Sequence, residues 1–290
     1  MSSSDKGFLL GLLGVVLFAL TTPLTKLAAG APDIAGLSPV FITFGRAAAA
    51  GLLASAYLAF VRAPWPRREQ FAPLLLAGLG IVIGFPLFLG LAVQHVDAMH
   101  AAVIAGALPL GTATLTALWM RERASKAFWV LAILGFSLVL LFAWLAGGNG
   151  GFHLADGLLL LAMGSASAGY VLGARLGQAM QPERVVSWIL VLYLPLTGPL
   201  ALLSWPTGPV APGVWASFCY LAIVSMWLGF FAWYRGLAMG GALRVSQVQL
   251  VQPFLSMIFA VPLLGETLSV LAVGFSVAIV ATVVASRHVK

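Results

Sequence analysis

Ten apolar stretches separated by short polar gaps run from Phe8 to Ser286, and the cations fall almost wholly on alternate gaps. Counting from the N-terminal tail, the first set of gaps holds Lys6, then Arg62, Arg67 and Arg68, then Arg121, Arg123 and Lys126. It continues with Arg175 and Arg184, Arg235 and Arg244, and ends with Arg287 and Lys290. These are 13 of the 15 basic residues; the other set of gaps holds Lys26 alone, and Arg46 lies within a stretch. Positive charge resists translocation, so the cation-rich side is the cytoplasmic one. The pattern predicts a polytopic membrane protein with both termini inside.

Composition agrees. Hydrophobic residues make up 61% of the chain and charged residues 8%, against about 25% charged in soluble domains. Lipid must therefore surround most of the surface. A span needs about 20 residues to cross the hydrocarbon core, so ten spans leave no room for a soluble catalytic domain. The net charge of +7 comes from short loops, where it sets topology and meets anionic headgroups, so nucleic acid is not an expected partner. Cys219 stands alone and excludes an intrachain disulfide. The run from Phe8 to Leu20, followed by Ala29-Gly30-Ala31, has some features of a cleavable leader. The apolar pattern resumes after Thr21-Thr22, so the segment reads as the first span.

The expected spans are 8–29, 37–61, 71–94, 98–119, 127–146, 155–176, 185–205, 212–234, 245–264 and 268–286. All are expected to be helices, because an isolated strand leaves its backbone unsatisfied in lipid. The chain also repeats. An offset of 144 sets Asp97-Ala98 over Gly241-Ala242, Pro109 over Pro253 and Glu122 over Glu266. A looser match sets Lys26 over Arg175. Five spans is an odd number, so the second half enters the membrane upside down relative to the first. The expected units are residues 1–150 and 151–290, and inverted repeats typify secondary transporters with a substrate site near the midplane.

The patterns Asp97-Ala98…Pro109…Glu122 and Gly241-Ala242…Pro253…Glu266, with Arg46 in the second span, resemble the drug/metabolite transporter superfamily in its ten-helix branch with two EamA-type repeats. Within it, the chain resembles the YddG-type amino acid exporters. The resemblance implies an inner-membrane bacterial transporter that exports neutral or aromatic amino acids by alternating access. It would act without a cofactor, as a monomer or weak oligomer. A drug or nucleotide-sugar carrier of the same fold is the alternative, and an intramembrane lipid-modifying enzyme is a more distant one.

Several residues are candidates for the site. Arg46 lies about eight residues inside its span, where a guanidinium must face a cavity or a partner. It can fork onto a carboxylate or tie helix carbonyls together. The ninth span opens with Ser246, Gln249 and Gln252 ahead of Pro253, a polar face suited to a zwitterion or to interhelical bonding. Phe85 and Phe88 flank Pro86; Tyr170, and Trp227 near Phe230, complete an aromatic set able to enclose a side chain. Gln94, His95 and His100 are candidate outer-gate residues or ordinary loop residues, with Asp97 a candidate cap of the fourth helix. Pro253 reads as a kink, and Pro109, its match in the first half, as a structural residue. Glu122 and Glu266 read as structural caps beside the following helix, where a carboxylate meets the positive end of a dipole. The His and acid spacing suggests no metal site. No Asp or Glu lies in the middle of a span, so a proton relay is not expected and transport should be facilitative. No G-x-x-x-x-G-K-[ST] loop is present, which excludes ATP hydrolysis by the chain itself.

Overall fold

The computed structural model describes residues 3–30, 35–119, 125–146, 151–240 and 247–288, and these contain helices and turns with no strand. Eight helices are long and apolar enough to cross a membrane: α1 (Asp5–Ala29), α2 (Pro39–Phe60), α3 (Arg68–Ala92), α4 (Ala98–Trp119), α5 (Lys126–Ala146), α6 (Leu154–Leu176), α7 (Pro182–Leu203) and α8 (Pro212–Gly236). Two shorter apolar helices follow, α9 (Val248–Leu264) and α10 (Val270–Ser286).

Local chemistry sets the helix ends. Ser38 accepts from the Phe41 amide at 3.1 Å, with Pro39 at the first helical position of α2. Such a cap satisfies an amide that the helix itself cannot. Pro182 and Pro212 open α7 and α8 in the same way. Gly265 ends α9 with φ 70°, and its amide bonds back to Val261 O at 2.9 Å. This is the left-handed stop that glycine adopts without steric cost.

Among the described residues, α1 is interrupted at Leu20, between Ala19 and Thr21, and four further helices depart from regular α geometry. The π segments Leu79–Gly84 of α3 and Leu221–Leu228 of α8 overlap at the 144-residue offset. In α4, Ala98–Ala105 gives way to Leu108–Trp119, with Pro109 second in the new helix. In α9, a 3-10 turn at Gln247–Val251 gives way to Gln252–Leu264, with Pro253 second. Leu108 and Gln252 are themselves 144 residues apart. Proline has no amide to donate and fits the first turn of a helix, so each begins a fresh helix rather than bending a continuous one.

The helices pack in pairs: α1 on α8, α2 on α7, α3 on α6, α5 on α10, and the first part of α4 on α9. Without a hydrophobic driving force in lipid, small residues permit these contacts by close backbone approach. On α3 and α6, a Cβ at Gly80 would run into Ser165 O, and one at Gly84 would meet Ser165 Oγ at 2.6 Å. On α1 and α8, a Cβ at Gly236 would lie 2.5 Å from Gly11 N and 2.9 Å from Gly7 O. Those are backbone atoms and cannot rotate away. Gly236→Ala should therefore destabilise the protein by about 1–3 kcal/mol, the usual cost of overpacking. Gly198→Ala, which meets nothing within 4 Å, should be nearly neutral. Thermal unfolding of both variants in detergent checks the contrast.

Candidate substrate cavity

A small cavity lies at the centre of the bundle, bounded by α1, α2, α3, α4, α6, α8 and α9. Its polar lining is Thr21 and Thr22 of α1, Arg46 of α2, Ser225 of α8 and Gln252 of α9. Phe18, Phe85, Tyr170 and Phe230 supply rings; Phe230 stands edge-on to Phe18 at 5.0 Å and to Tyr170 at 6.2 Å. The cavity volume is about 40 Å³, space for a few waters. An organic substrate needs it to widen.

Arg46 is the centre of this arrangement. Only 2% of it is exposed. Its Nη2 donates to Ser225 Oγ at 3.0 Å, and Ser225 Oγ lies 2.8 Å from Thr21 Oγ1. Its Nε and Nη1 have no partner. Arginine carries five N–H donors and stays charged, so a guanidinium buried in this way is prepared to receive an acceptor. The Gln252 amide oxygen is likewise buried without a partner. Among the described residues, the cavity therefore has free donors on Arg46 and a free acceptor on Gln252.

Of the residues singled out in the sequence, Arg46, Phe85, Tyr170, Phe230 and Gln252 meet at this cavity. Gln249 lines an adjoining recess that shares Thr22 and Gln252 with it and also includes Pro109, Pro253 and Ser256. Ser256 Oγ donates to Ala19 O at 2.8 Å, where α1 breaks between Ala19 and Thr21. Phe88 and Trp227 do not line the cavity. Phe88 packs against an apolar cluster contributed by α3, α4, α5, α6, α9 and α10. The Trp227 indole donates to Ser187 Oγ at 3.0 Å and packs against Tyr57 and Phe231. Met226 and Phe230 face the cavity from α8, and Trp227 sits one step around the helix on the α2–α7 side. Ser246 and Glu122 lie outside the described residues. Thr21, Thr22 and Ser225 complete the polar lining and were not anticipated. Their signal was a hydroxyl-bearing residue in the middle of an otherwise apolar span.

The candidate gate residues lie elsewhere. Gln94 and His95 are exposed on the turn between α3 and α4. His100 Nε2 is 2.7 Å from Asp156 Oδ1, and its ring lies 5.0 Å from Phe142. It borders a separate recess with Phe142 and Ala272. At the same end of the bundle Lys26 ties α1 to two carboxylates. Its Nζ donates to Asp97 Oδ1 at 2.9 Å and to Val96 O at 2.7 Å, and lies 3.8 Å from Glu266 Oε1. Glu266 accepts from the Ala98 amide at 2.7 Å and the Met99 amide at 2.8 Å. Asp97 thus occupies the N-cap position of α4 without capping it. Glu266 caps α4, not the α10 helix that follows it, because Lys26 holds the Asp97 carboxylate away.

Toward the opposite end a wider recess of about 620 Å³ is lined by Thr112, Thr116, Trp119, Arg175 and Gln178, and Tyr170 borders both this recess and the central cavity.

The sequence model of the EamA-like transporter family matches residues 5–144 and again residues 153–287. The chain belongs to the EamA-like transporter family. An uncharacterized transporter of Bacillus subtilis (strain 168), YdeK, is 39% identical over 290 residues, covering 99% of both chains. A second one from that organism, YwfM, is 25% identical over 225 residues, covering 73% of each. A solved crystal structure, 20% identical, superposes with a TM-score of 0.64 over 99% of both chains and shares the fold. This EamA protein is therefore a multi-pass membrane transporter whose cargo is a small molecule.

Glu266→Ala strips two buried-end amides of their acceptor and Lys26 of a neighbouring charge. The expected loss is about 2 kcal/mol, as for a helix cap with a charged acceptor. Glu266→Gln should retain part of it, and thermal unfolding of the two variants measures both.

Proposed function

We propose that this EamA protein exports small carboxylate metabolites, neutral and aromatic amino acids among them, by alternating access. Two five-helix halves, residues 1–150 and 151–290, inverted with respect to each other, would rock about the central cavity. Three observations support the inversion. The family model matches twice, once in each half. Exchanging the first five helices for the last five leaves the set of packed pairs unchanged, since α1 on α8 becomes α6 on α3 and the other pairs map onto themselves. The helix restarts before Pro109 and Pro253, and the two π segments, recur at one offset. The distribution of cations supports a cytoplasmic location for both termini and for the Arg175 recess.

The observation that carries the reading is the Arg46 guanidinium, buried with Nε and Nη1 free. A charge at the centre of a span costs about 2.5–3.5 kcal/mol even by the mildest scale. A purely structural arginine would offset that cost with helix carbonyls; this one has a single hydroxyl partner among the described residues. A carboxylate supplies the missing acceptors in bidentate geometry, and Gln252 receives a donor from the substrate. Phe18, Phe85, Tyr170 and Phe230 enclose its apolar part. The contacts of Lys26, Asp97 and Glu266 would close the outer side while substrate enters past Tyr170. No acid lies at membrane depth among the described residues to relay protons, which supports facilitative transport.

Counterflow into proteoliposomes with labelled amino acids tests this. The wild-type protein should exchange neutral and aromatic amino acids in the absence of any ion gradient. Arg46→Gln should lower that exchange at least ~100-fold, the worth of about 3 kcal/mol for a charge-assisted pair. Undiminished exchange by Arg46→Gln removes the proposal.

A further inference from the structure

The charges around the cavity do not balance, and the imbalance selects among carboxylates. Arg46 contributes one permanent positive charge to the lining. No acid opposes it. Six of the eight acidic residues are described, and none lines the central cavity or the recess beside Gln249. Asp97 and Glu266 are held by Lys26 and the α4 amides. Asp156 is held by His100, and Glu183 by Arg235 at 2.7 Å. Glu69 sits in the first turn of α3, and Asp5 in the first turn of α1. The other polar lining groups are hydroxyls and one amide, all neutral.

An amino acid zwitterion placed here would set its carboxylate on Arg46 and leave its ammonium with neutral acceptors only. The cavity would then hold one uncompensated positive charge in an aromatic, low-dielectric surround, which is expensive. A monoanion neutralises Arg46 and leaves no charge over. We infer that the preferred cargo of this site is a net monoanionic carboxylate whose second polar group is a neutral donor, such as a 2-hydroxy acid or an N-acylated amino acid. Its hydroxyl or amide N–H satisfies the free Gln252 oxygen, which needs a donor but no charge. The inference rests on the proposed carboxylate site at Arg46 and narrows its substrate.

A consequence follows for the driving force. A monoanion leaving the cell carries negative charge outward, and an inside-negative potential pushes it. One elementary charge across 100 mV shifts the equilibrium distribution about 50-fold. Export then proceeds against a concentration gradient with no coupling ion. A zwitterion gains nothing from the potential.

The experiment is efflux from proteoliposomes of the full-length protein, loaded with L-phenylalanine, phenyllactate, N-acetylphenylalanine or phenylalaninamide, with protein-free liposomes as background. A potassium–valinomycin potential, negative inside, is imposed or omitted. The expected result is that phenyllactate and N-acetylphenylalanine leave about 10-fold or more faster than phenylalanine, that the potential accelerates them, and that phenylalaninamide does not move. Arg46→Gln should abolish the anion preference. Phenylalanine moving fastest, and indifferent to potential, overturns the inference while leaving the carboxylate site intact. If no carboxylate moves, or Arg46→Gln transports all four as wild type, the carboxylate site itself fails, and the inference with it.

Discussion

A guanidinium deep in a bilayer protein must be answered by something, and Arg46 is answered only in part. Ser225 takes one of its donors, and Thr21 holds Ser225 in turn. That short chain joins α2, α8 and α1 across the centre of the bundle. The two remaining nitrogens face a lining without a carboxylate, surrounded by aromatic rings. Ser225 lies in the π segment of α8. A wider turn offsets the residues that follow it relative to a regular helix, and such segments recur at functional sites.

The rest of the fold serves this centre by placing irregular backbone where the helices surround it. The breaks in α1, α4 and α9 all fall beside the cavity or its adjoining recess, at Thr21, Leu108 and Gln252. Backbone groups freed at membrane depth need partners within the protein. Ser256 provides one at Ala19 O. The two ends of the bundle differ in kind. One is tied by charge, with Lys26 between Asp97 and Glu266. The other is a wide recess that stops at Tyr170. The Lys26 end is recessed as well, by about 650 Å³ beside Asp97, His100 and Glu266, so the two ends differ in the ion pairs that tie one of them.

Much of the architecture was legible because lipid restricts the choices. The ten apolar stretches coincide with helices, and the stretch expected at 98–119 is the helix Ala98–Trp119. Arg46 and Gln252 were legible as cavity residues, since a charge or amide inside a span has few other places to go. Trp227 was not distinguishable from Phe230, because an apolar helix carries no polar face to show which way it is turned, and a π segment shifts the register besides. Asp97 read as the cap of α4 from sequence adjacency; Glu266, 168 residues from Ala98, performs that role because packing brings two turns together. Lys26 showed as an exception to the charge pattern, and its two carboxylate neighbours explain the exception.

The account depends on Arg46 receiving a carboxylate. Ligand-induced thermal stabilisation of the detergent-purified protein by an aromatic monocarboxylate, set against the corresponding primary amide, measures this without transport. The carboxylate should raise the melting temperature of the wild type, the amide should not, and Arg46→Gln should respond to neither. Stabilisation of Arg46→Gln by the carboxylate to the same extent as wild type would contradict the account.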